Sequence, residues 1–352
     1  MPENHLPLIF DGHNDLLFRL FEENAADPSA GFLNGRAGHI DLPKAKIGGF
    51  GGGFFAIYVP SPDELIDTLT QMKNPPYDLP LPGAMTQEAA LPIALQQAAH
   101  LIALEKTGTL KICTSTVEIK NCLANGIIAA VMHMEGAEAI DEDLYALDVF
   151  YKAGLRSLGP VWSRPTIFGH GVPFRYPSTG DIGDGLTDAG KRLVKRCDEL
   201  GIMLDASHLN EKGFWDIAAI SSNPIVATHS NVHAICPHAR NLTDDQLKAI
   251  KESQGVVGLN FAVAFTRPDG AMDENTELEA LLPHLDYLIE HLGEDHVGLG
   301  SDFDGAHIPH EIKDISDLGN LRQVMRDHGY NDHLMNKLCH ENWIRVLDKV
   351  WK

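Results

Sequence analysis

Residues 126–136 read GIIAAVMHMEG, an almost unbroken apolar run between two glycines that ends in a glutamate. A run of this length without polar alternation is typical of a β-strand that is buried on both faces. Such strands occur in parallel sheets whose two faces are covered by helices. The stretch therefore predicts a buried parallel strand with the carboxylate of Glu135 at its carboxyl end.

Seven further short apolar runs also have the length and character of strands. They are Leu8–Phe10, Phe54–Val59, Arg156–Trp162, Ile202–Asp205, Pro224–Thr228, Val256–Phe261 and Val297–Gly300. Helical patterns lie between runs: Thr187–Leu200 starts with a capping residue and stops at Gly201, and residues 243–246 fit a capping box. This alternation predicts a (β/α)₈ barrel that forms one domain over residues 1–352, with a doubly wound open sheet as the alternative.

Two stretches between these elements are predicted to be long loops. Asn74–Met85 is rich in proline, and His170–Gly185 is rich in glycine and proline. Both follow strands, so both are expected at the carboxyl-terminal rim of the barrel, where sites are built.

The composition excludes several classes of protein. The chain has 352 residues, 44% apolar and 22% charged, and a net charge of −21, so it is expected to be globular and to repel nucleic acid and anionic lipid. No run reaches the length of a membrane span, and no signal peptide is evident. The five cysteines are scattered without a C-x-x-C pair, which favours buried thiols in a reducing, cytoplasmic compartment.

Metal-binding residue types stand at the ends of five predicted strands. They are His13 and Asp15 after the first, Glu135 at the third, His208 after the fifth, His229 after the sixth and Asp302 after the eighth. A barrel brings these strand ends to one face. Imidazoles and carboxylates are the ligands of zinc-like ions, and five side chains suit two ions if one carboxylate bridges them. Two close ions can acidify a shared water for amide or ester hydrolysis, which leaves Asp302 to transfer protons.

The motifs around these residues resemble the membrane (renal) dipeptidase family of amidohydrolase-type barrels. They are DGHNDL at 11–16, MEG at 134–136, DASH at 205–208, HSN at 229–231 and GSDFDG at 300–305. The resemblance runs from about residue 8 to residue 305 and depends on an ordered set of motifs.

The resemblance implies a zinc dipeptidase with two metal ions on a (β/α)₈ barrel. It assigns His13 and Asp15 to one zinc, His208 and His229 to the other, Glu135 to the bridge, Asp302 to proton transfer and Arg240 to the free carboxylate of the substrate. It also implies a homodimer, and activity on dipeptides that carry a D-residue at the carboxyl-terminal side.

Two positions depart from the family pattern. Trp162 aligns with a histidine that polarises the scissile carbonyl in mammalian members, and His170, eight residues further on, is a candidate replacement. Phe265 aligns with a tyrosine and lacks its hydroxyl. Trp162 and Phe265 leave open a related hydrolase of a lactone, a cyclic amide or a D-amino-acid derivative. A non-catalytic metal-binding barrel is a second alternative, although it would need neither Asp302 nor Arg240.

Overall fold

The structure is a computed structural model that describes residues 6–24, 27–61 and 70–352. Within these residues, eight strands form the barrel: β1 Ile9–Asn14, β2 Phe50–Tyr58, β3 Ile128–Glu135, β4 Leu155–Gly159, β5 Met203–Leu204, β6 Val226–Ala227, β7 Val256–Leu259 and β8 Val297–Leu299. Each overlaps one of the eight apolar runs of the sequence.

All of these strands pair in parallel and in chain order. Ladders join β1 through β5, and a second set joins β6, β7 and β8. Single parallel bridges between Asp205 and Val226 and between Asn14 and Phe303 connect the two sets. The ring therefore closes, which confirms the predicted barrel and excludes the open sheet.

Helices follow the strands and cover the outside of the ring. They are α1 Leu16–Glu23, α2 Pro28–Asn34, α3 Leu42–Gly48, α4 Gln87–Glu105, α5 Thr116–Asn125, α6 Tyr145–Ala153, α7 Asp188–Leu200, α8 Glu211–Ile220, α9 Asp244–Glu252, α10 Val263–Thr266, α11 Leu282–Leu292, α12 Leu318–Asp327, α13 Asp332–Asn336 and α14 Asn342–Val350. Thr187 caps α7, Gly201 ends it in the left-handed conformation, and Thr243 with Gln246 forms the predicted capping box. None of the helices in the described part of the chain is long and apolar enough to cross a bilayer.

Strand β2 begins earlier than the sequence pattern predicts. The glycines at 51–53 were expected to precede a strand at Phe54, but they lie inside β2. A Cβ at Gly52 would overlap the backbone of Ala129 on β3, so the missing side chains allow the strands to approach closely. A short strand, Leu110–Ile112, also pairs with β3 and was not predicted.

The two long loops meet at the carboxyl-terminal rim. Residues Tyr77–Asp78 of the first pair antiparallel with Arg175–Tyr176 of the second, and the Leu79 amide donates to the Phe174 carbonyl at 3.0 Å. This small ribbon fixes Phe174 over the barrel mouth, so loops predicted only by composition form part of the site's wall.

The amino-terminal half of the barrel interior is apolar. Side chains from six strands meet there, namely Phe10, Phe54, Val131, Met203, Val226 and Val256, and Trp343 of α14 packs among them. The Trp343 indole donates to the Leu299 carbonyl at 3.0 Å, so its polar atom is satisfied. The five cysteines are all buried and free, as predicted.

Candidate active site

The barrel brings the predicted strand-end residues together in one cluster. Asp15 Oδ2 lies 3.3 Å from His13 Nε2, and the Nε2 atoms of His208 and His229 lie 2.9 Å apart. Asp302 offers a carboxylate oxygen within 4.8 Å of ligand atoms of His13 and Asp15. The ends of five different strands therefore converge, as the position of sites in such barrels requires.

Glu135 lies between two groups of these side chains. Its Oε2 is 3.7 Å from His13 Nε2, on the side of Asp15. Its Oε1 is 3.1 Å from His208 Nε2 and 3.3 Å from His229 Nε2. The two oxygens of one carboxylate thus face two separate sets of donors.

The cluster fits divalent metal ions. Two ligands of one tetrahedral zinc lie about 3.4 Å apart when each is about 2.1 Å from the ion. The closest ligand-atom separations here, between 2.9 and 3.7 Å, agree with that spacing. Within the described residues, both ring nitrogens of the buried His13 lack a hydrogen-bond partner. A buried nitrogen of this kind is costly unless it has a partner such as a metal ion.

The pKa shifts of the buried carboxyl groups also favour a bound cation in this cluster. Burial raises the pKa of Glu135 well above its usual range, and burial raises the pKa of Asp302. Burial lowers the pKa of His13, but the carboxylates of Glu135 and Asp15 outweigh this effect and raise the pKa to about 10. Because burial penalises the ionised form of these carboxyl groups, a divalent cation beside them would stabilise that form.

The other two histidines are kept neutral. Burial lowers the pKa of both His208 and His229 well below its usual range. Neutral imidazole is the form that ligates metals. His208 and His229 can therefore bind an ion directly, whereas an ion at His13 would take the place of the proton that the neighbouring carboxylates favour there.

Two residues of the cluster adopt a strained backbone. His208 and Asp302 have φ values of 65° and 63°, in the left-handed region that only a few per cent of non-glycine residues occupy. Backbone contacts hold them there: the His208 carbonyl accepts from Val172, and the Asp302 amide donates to the His13 carbonyl at 3.1 Å. Strain of this kind concentrates at functional sites because it aims a side chain that an unstrained backbone would misdirect.

Asn260 positions Asp302, a role that the motif analysis missed. Its Nδ2 donates to Asp302 Oδ2 at 3.0 Å, while its Oδ1 accepts from the Ala262 amide at 2.6 Å. The Ala262 contact fixes which end of the amide faces the carboxylate. Because Asn260 directly follows β7, the rule that strand ends supply site residues could have found it. Asp304 instead accepts from the His39 amide at 2.7 Å and pairs with Arg36 at 3.3 Å, contacts that hold loops together.

A cavity of about 300 Å³ opens above the carboxylates. Its wall includes the aromatic side chains of Tyr58, Trp162, Phe174 and Phe265. Trp162 contacts the His208 ring with their centroids 5.8 Å apart, and Phe265 stacks on Phe174 at 6.1 Å. Trp162, which aligns with the carbonyl-polarising histidine of mammalian members, therefore lines the cavity next to His208.

His170 does not reach this cavity in the described structure. It is absent from the described residues that line the cavity, and its Nδ1 lies 3.5 Å from the Gly185 carbonyl oxygen. The backbone of His170 is held by Asn210, whose amide donates to the His170 carbonyl at 3.1 Å. The geometry gives no support to His170 as a replacement for the histidine that aligns with Trp162.

Arg240 is a buried cation with unused hydrogen-bonding capacity. Its guanidinium donates to the His229 carbonyl at 3.1 Å and to Ser230 Oγ at 3.4 Å, and its Nε has no partner among the described residues. No described carboxylate lies within ion-pair distance of it. Burial lowers the pKa of Arg240 to about 10. Arg240 is absent from the described residues that line the cavity, as His170 is, but its guanidinium carbon lies 5.5 Å from the ring centre of Phe265, which does line it. The arrangement suits recognition of a carboxylate.

A second buried arginine was also missed by the sequence analysis. Arg164 pairs with Glu138 at 2.8 Å and donates to Ser61 Oγ at 2.7 Å, with all three side chains buried. Its guanidinium carbon lies 5.6 Å from the Trp162 ring centre. The pair ties the segments that follow β2, β3 and β4 beneath the wall of the cavity, so it supports Trp162 rather than substrate.

A closed parallel barrel with histidines and carboxylates at its carboxyl end defines a metal-dependent hydrolase of the amidohydrolase type. The family model described as membrane dipeptidase, peptidase family M19, matches residues 4–352. The chain belongs to this family of metallo dipeptidases, so the suggested resemblance is confirmed and the protein is a hydrolase.

Several individual proteins are similar to this chain. A crystal structure of a metallo peptidase from Rhodobacter sphaeroides, liganded with a phosphinate mimic of the dipeptide L-Ala-D-Ala, is 55% identical with a TM-score of 0.97; the match covers 99% of this chain and 100% of that one. An uncharacterized protein in the PQQ-III 3′ region of Acinetobacter calcoaceticus is 46% identical over 82% of this chain and 91% of its own length. Dipeptidase tcpJ of Claviceps purpurea is 26% identical over 97% of this chain and 76% of its own length.

Proposed function

We propose that this protein is a zinc dipeptidase that hydrolyses small dipeptides, including those with a D-residue at the carboxyl-terminal side. The division of the Glu135 oxygens between two sets of donors carries the proposal, because it suits a carboxylate that bridges two ions. The dipeptide mimic in the similar Rhodobacter structure supports the substrate class. We further propose a cytoplasmic location, which the scattered cysteines favour, and a homodimer, which the family resemblance implies.

The proposed ligands divide between two zinc ions. His13 and Asp15 would hold one ion, His208 and His229 would hold the other, and Glu135 would be shared between them. When bound, two such ions supply Lewis acidity to the scissile carbonyl and lower the pKa of a water molecule.

The chain's own residues bind the substrate and move the proton. Arg240 grips the free carboxylate of the dipeptide, and Trp162 with Phe265 forms an apolar wall beside it. Asp302, held by Asn260, takes a proton from the attacking water and delivers it to the leaving amine. The cavity of about 300 Å³ lies at the lower end of the usual range for ligand sites, which favours a short peptide.

The test compares wild-type protein loaded with Zn²⁺ and its Asp302→Asn variant. We expect two zinc equivalents in both proteins, hydrolysis of L-Ala-L-Ala and L-Ala-D-Ala by the wild type, and a kcat about 10²- to 10⁴-fold lower in the variant. Full activity of Asp302→Asn would disprove the proton-transfer role. Wild-type turnover of lactones or N-acyl D-amino acids without turnover of dipeptides would replace the dipeptidase proposal, and bound zinc without any turnover would indicate a binding protein.

A further inference from the structure

On the Nδ1 side of His229, away from the cluster of candidate metal ligands, a hydroxyl and a carboxylate form a short buried hydrogen-bonded chain with the ring. Thr228 Oγ1 lies 2.5 Å from Asp205 Oδ2 and 2.8 Å from His229 Nδ1. All three residues are almost fully buried. Asp205 belongs to the DASH motif at 205–208, and Thr228 directly precedes the HSN motif at 229–231.

The direction of each hydrogen bond in this chain follows from the donors around Asp205. Its Oδ1 accepts the backbone N–H groups of Ser207 and Thr228, each at 2.9 Å, and its Oδ2 faces the Thr228 hydroxyl. His133 Nε2 also lies 3.6 Å from Oδ2. An aspartate carboxylate offers only acceptor atoms to these groups. The single proton of the Thr228 hydroxyl therefore points to Asp205.

The imidazole must then donate from Nδ1. The Thr228 oxygen, having given its proton to Asp205, can only accept from His229. A neutral ring with its proton on Nδ1 has its lone pair on Nε2, the atom that lies 3.3 Å from Glu135 Oε1 and 2.9 Å from His208 Nε2. The tautomer that the contact with Thr228 favours therefore leaves Nε2 free to bind a metal ion.

The other histidines of the cluster lack this arrangement. His208 Nδ1 lies 2.8 Å from Ser163 Oγ, but no further acceptor for that hydroxyl occurs among the described residues. The Ser163 proton can therefore point toward or away from the ring. His13 Nδ1 has no hydrogen-bond partner in the described part of the chain.

We propose that Thr228 and Asp205 are positioning residues that fix His229 in the Nδ1-protonated tautomer and thereby tighten metal binding at the His208–His229 position. This inference rests on the proposed metal site, and it adds two residues that act through a ligand rather than as ligands. Outer partners of this type change metal affinity by about 10- to 100-fold when removed.

The experiment uses two variants of the zinc-loaded protein. Thr228→Val keeps the side-chain shape and removes the hydroxyl, whereas Thr228→Ser retains it. Competition with a chelator should show that Thr228→Val binds one of its two zinc equivalents about 10- to 100-fold more weakly, while Thr228→Ser stays close to wild type. Equal zinc affinity in Thr228→Val and wild type would overturn the inference, whereas a wild type that holds fewer than two equivalents would instead refute the proposed two-metal site.

A second measurement does not depend on any variant's folding. In zinc-loaded wild-type protein with ¹⁵N-labelled histidine, the His229 Nδ1 should carry a slowly exchanging proton at low field, as a hydrogen-bonded imidazole N–H does. A rapidly exchanging Nδ1 proton at the position of a free imidazole would show that the Thr228 hydroxyl does not accept from the ring, and the inference would be wrong.

Discussion

The two halves of the barrel interior are built from the same strands but differ in chemistry. On β1, Phe10 packs in the apolar amino-terminal half, and His13 reaches the carboxyl-terminal half three residues later. On β3, Val131 and Glu135 divide in the same way. The amino-terminal half therefore contributes mainly to stability, because buried apolar side chains stabilise the fold. The carboxyl-terminal half contributes mainly to function, because buried charges without a partner cost several kcal/mol each.

Substitutions in the two halves should therefore have opposite effects on activity and on stability. A change in the carboxyl-terminal half should impair metal binding or turnover and leave the fold intact. A change in the amino-terminal half should lower the free energy of unfolding and leave the properties of the folded molecules unchanged. Three substitutions test this division, beginning with the one for which the largest effect is expected.

Glu135→Gln should abolish function. One neutral amide cannot replace a carboxylate that faces two sets of donors, so zinc content should fall below two equivalents and kcat/KM at least about 10³-fold. In metal-free protein the fold should be as stable as wild type or more stable. The raised pKa of the buried Glu135 means that the folded state binds the proton more tightly than the unfolded state, so ionisation at neutral pH disfavours folding.

Metal analysis, steady-state kinetics and urea unfolding measure these effects, and Glu142→Gln is the control. The Glu142 side chain is 74% exposed and pairs with Arg192, so its loss should change neither zinc content nor kinetics. A Glu135→Gln variant that kept two zinc ions would show that the bridge is not needed.

Trp343→Ala should have the second largest effect, and it should act on stability. The indole fills space against Gly12, Gly258 and Gly298, where a Cβ would collide with it. Its removal leaves a cavity and deletes the hydrogen bond to the Leu299 carbonyl, for a loss of about 3–5 kcal/mol in the free energy of unfolding. The folded fraction should retain its zinc and its kcat/KM.

Urea unfolding followed by circular dichroism checks this prediction, with Trp215→Ala as the matched control. Trp215 is 38% exposed on α8, so its truncation should cost much less. If Trp343→Ala lost its zinc while still folded, the amino-terminal half would also control the site, and the proposed division would not hold.

The sequence predicted the parts of both halves that depend on local pattern. The eight apolar runs became the eight barrel strands because a strand buried on both faces needs continuous apolar sequence, whatever its neighbours are. The convergence of Glu135 and His229 followed from the barrel alone, since every parallel strand ends at the same face. The cluster of candidate metal ligands was therefore predictable without any knowledge of the loops.

The remaining features depend on contacts between distant parts of the chain. Trp343 reads as one apolar residue on a helical stripe, and nothing near it in sequence indicates that it fills the barrel. His170 lies in a long loop whose path is set by pairing with a second loop, so spacing from Trp162 did not predict its position. Thr228 hydrogen-bonds to Asp205, and a motif search treats the two residues separately.

Gly305→Ala should have the smallest effect of the three, confined to turnover. Gly305 lines the cavity, and a Cβ there would overlap Asp15 Oδ2 and lie 2.6 Å from Asp302 Oδ1. Displacement of these carboxylates by less than the width of an atom should lower kcat/KM about 10- to 100-fold, because misplacement of about 1 Å already costs about 10²-fold. Zinc content and the urea midpoint should change little.

The matched control for this prediction is Gly319→Ala on α12. A Cβ at Gly319 meets no atom within 4 Å, so that variant should keep its activity and gain up to about 1 kcal/mol in helix stability. Wild-type kinetics in Gly305→Ala would mean that Asp15 and Asp302 can shift together without harm, and the strained backbone at Asp302 would then need an explanation other than precise placement of its carboxylate. A large stability loss in Gly305→Ala would instead show that the carboxyl-terminal half contributes to folding, and the contrast with Trp343 would weaken accordingly.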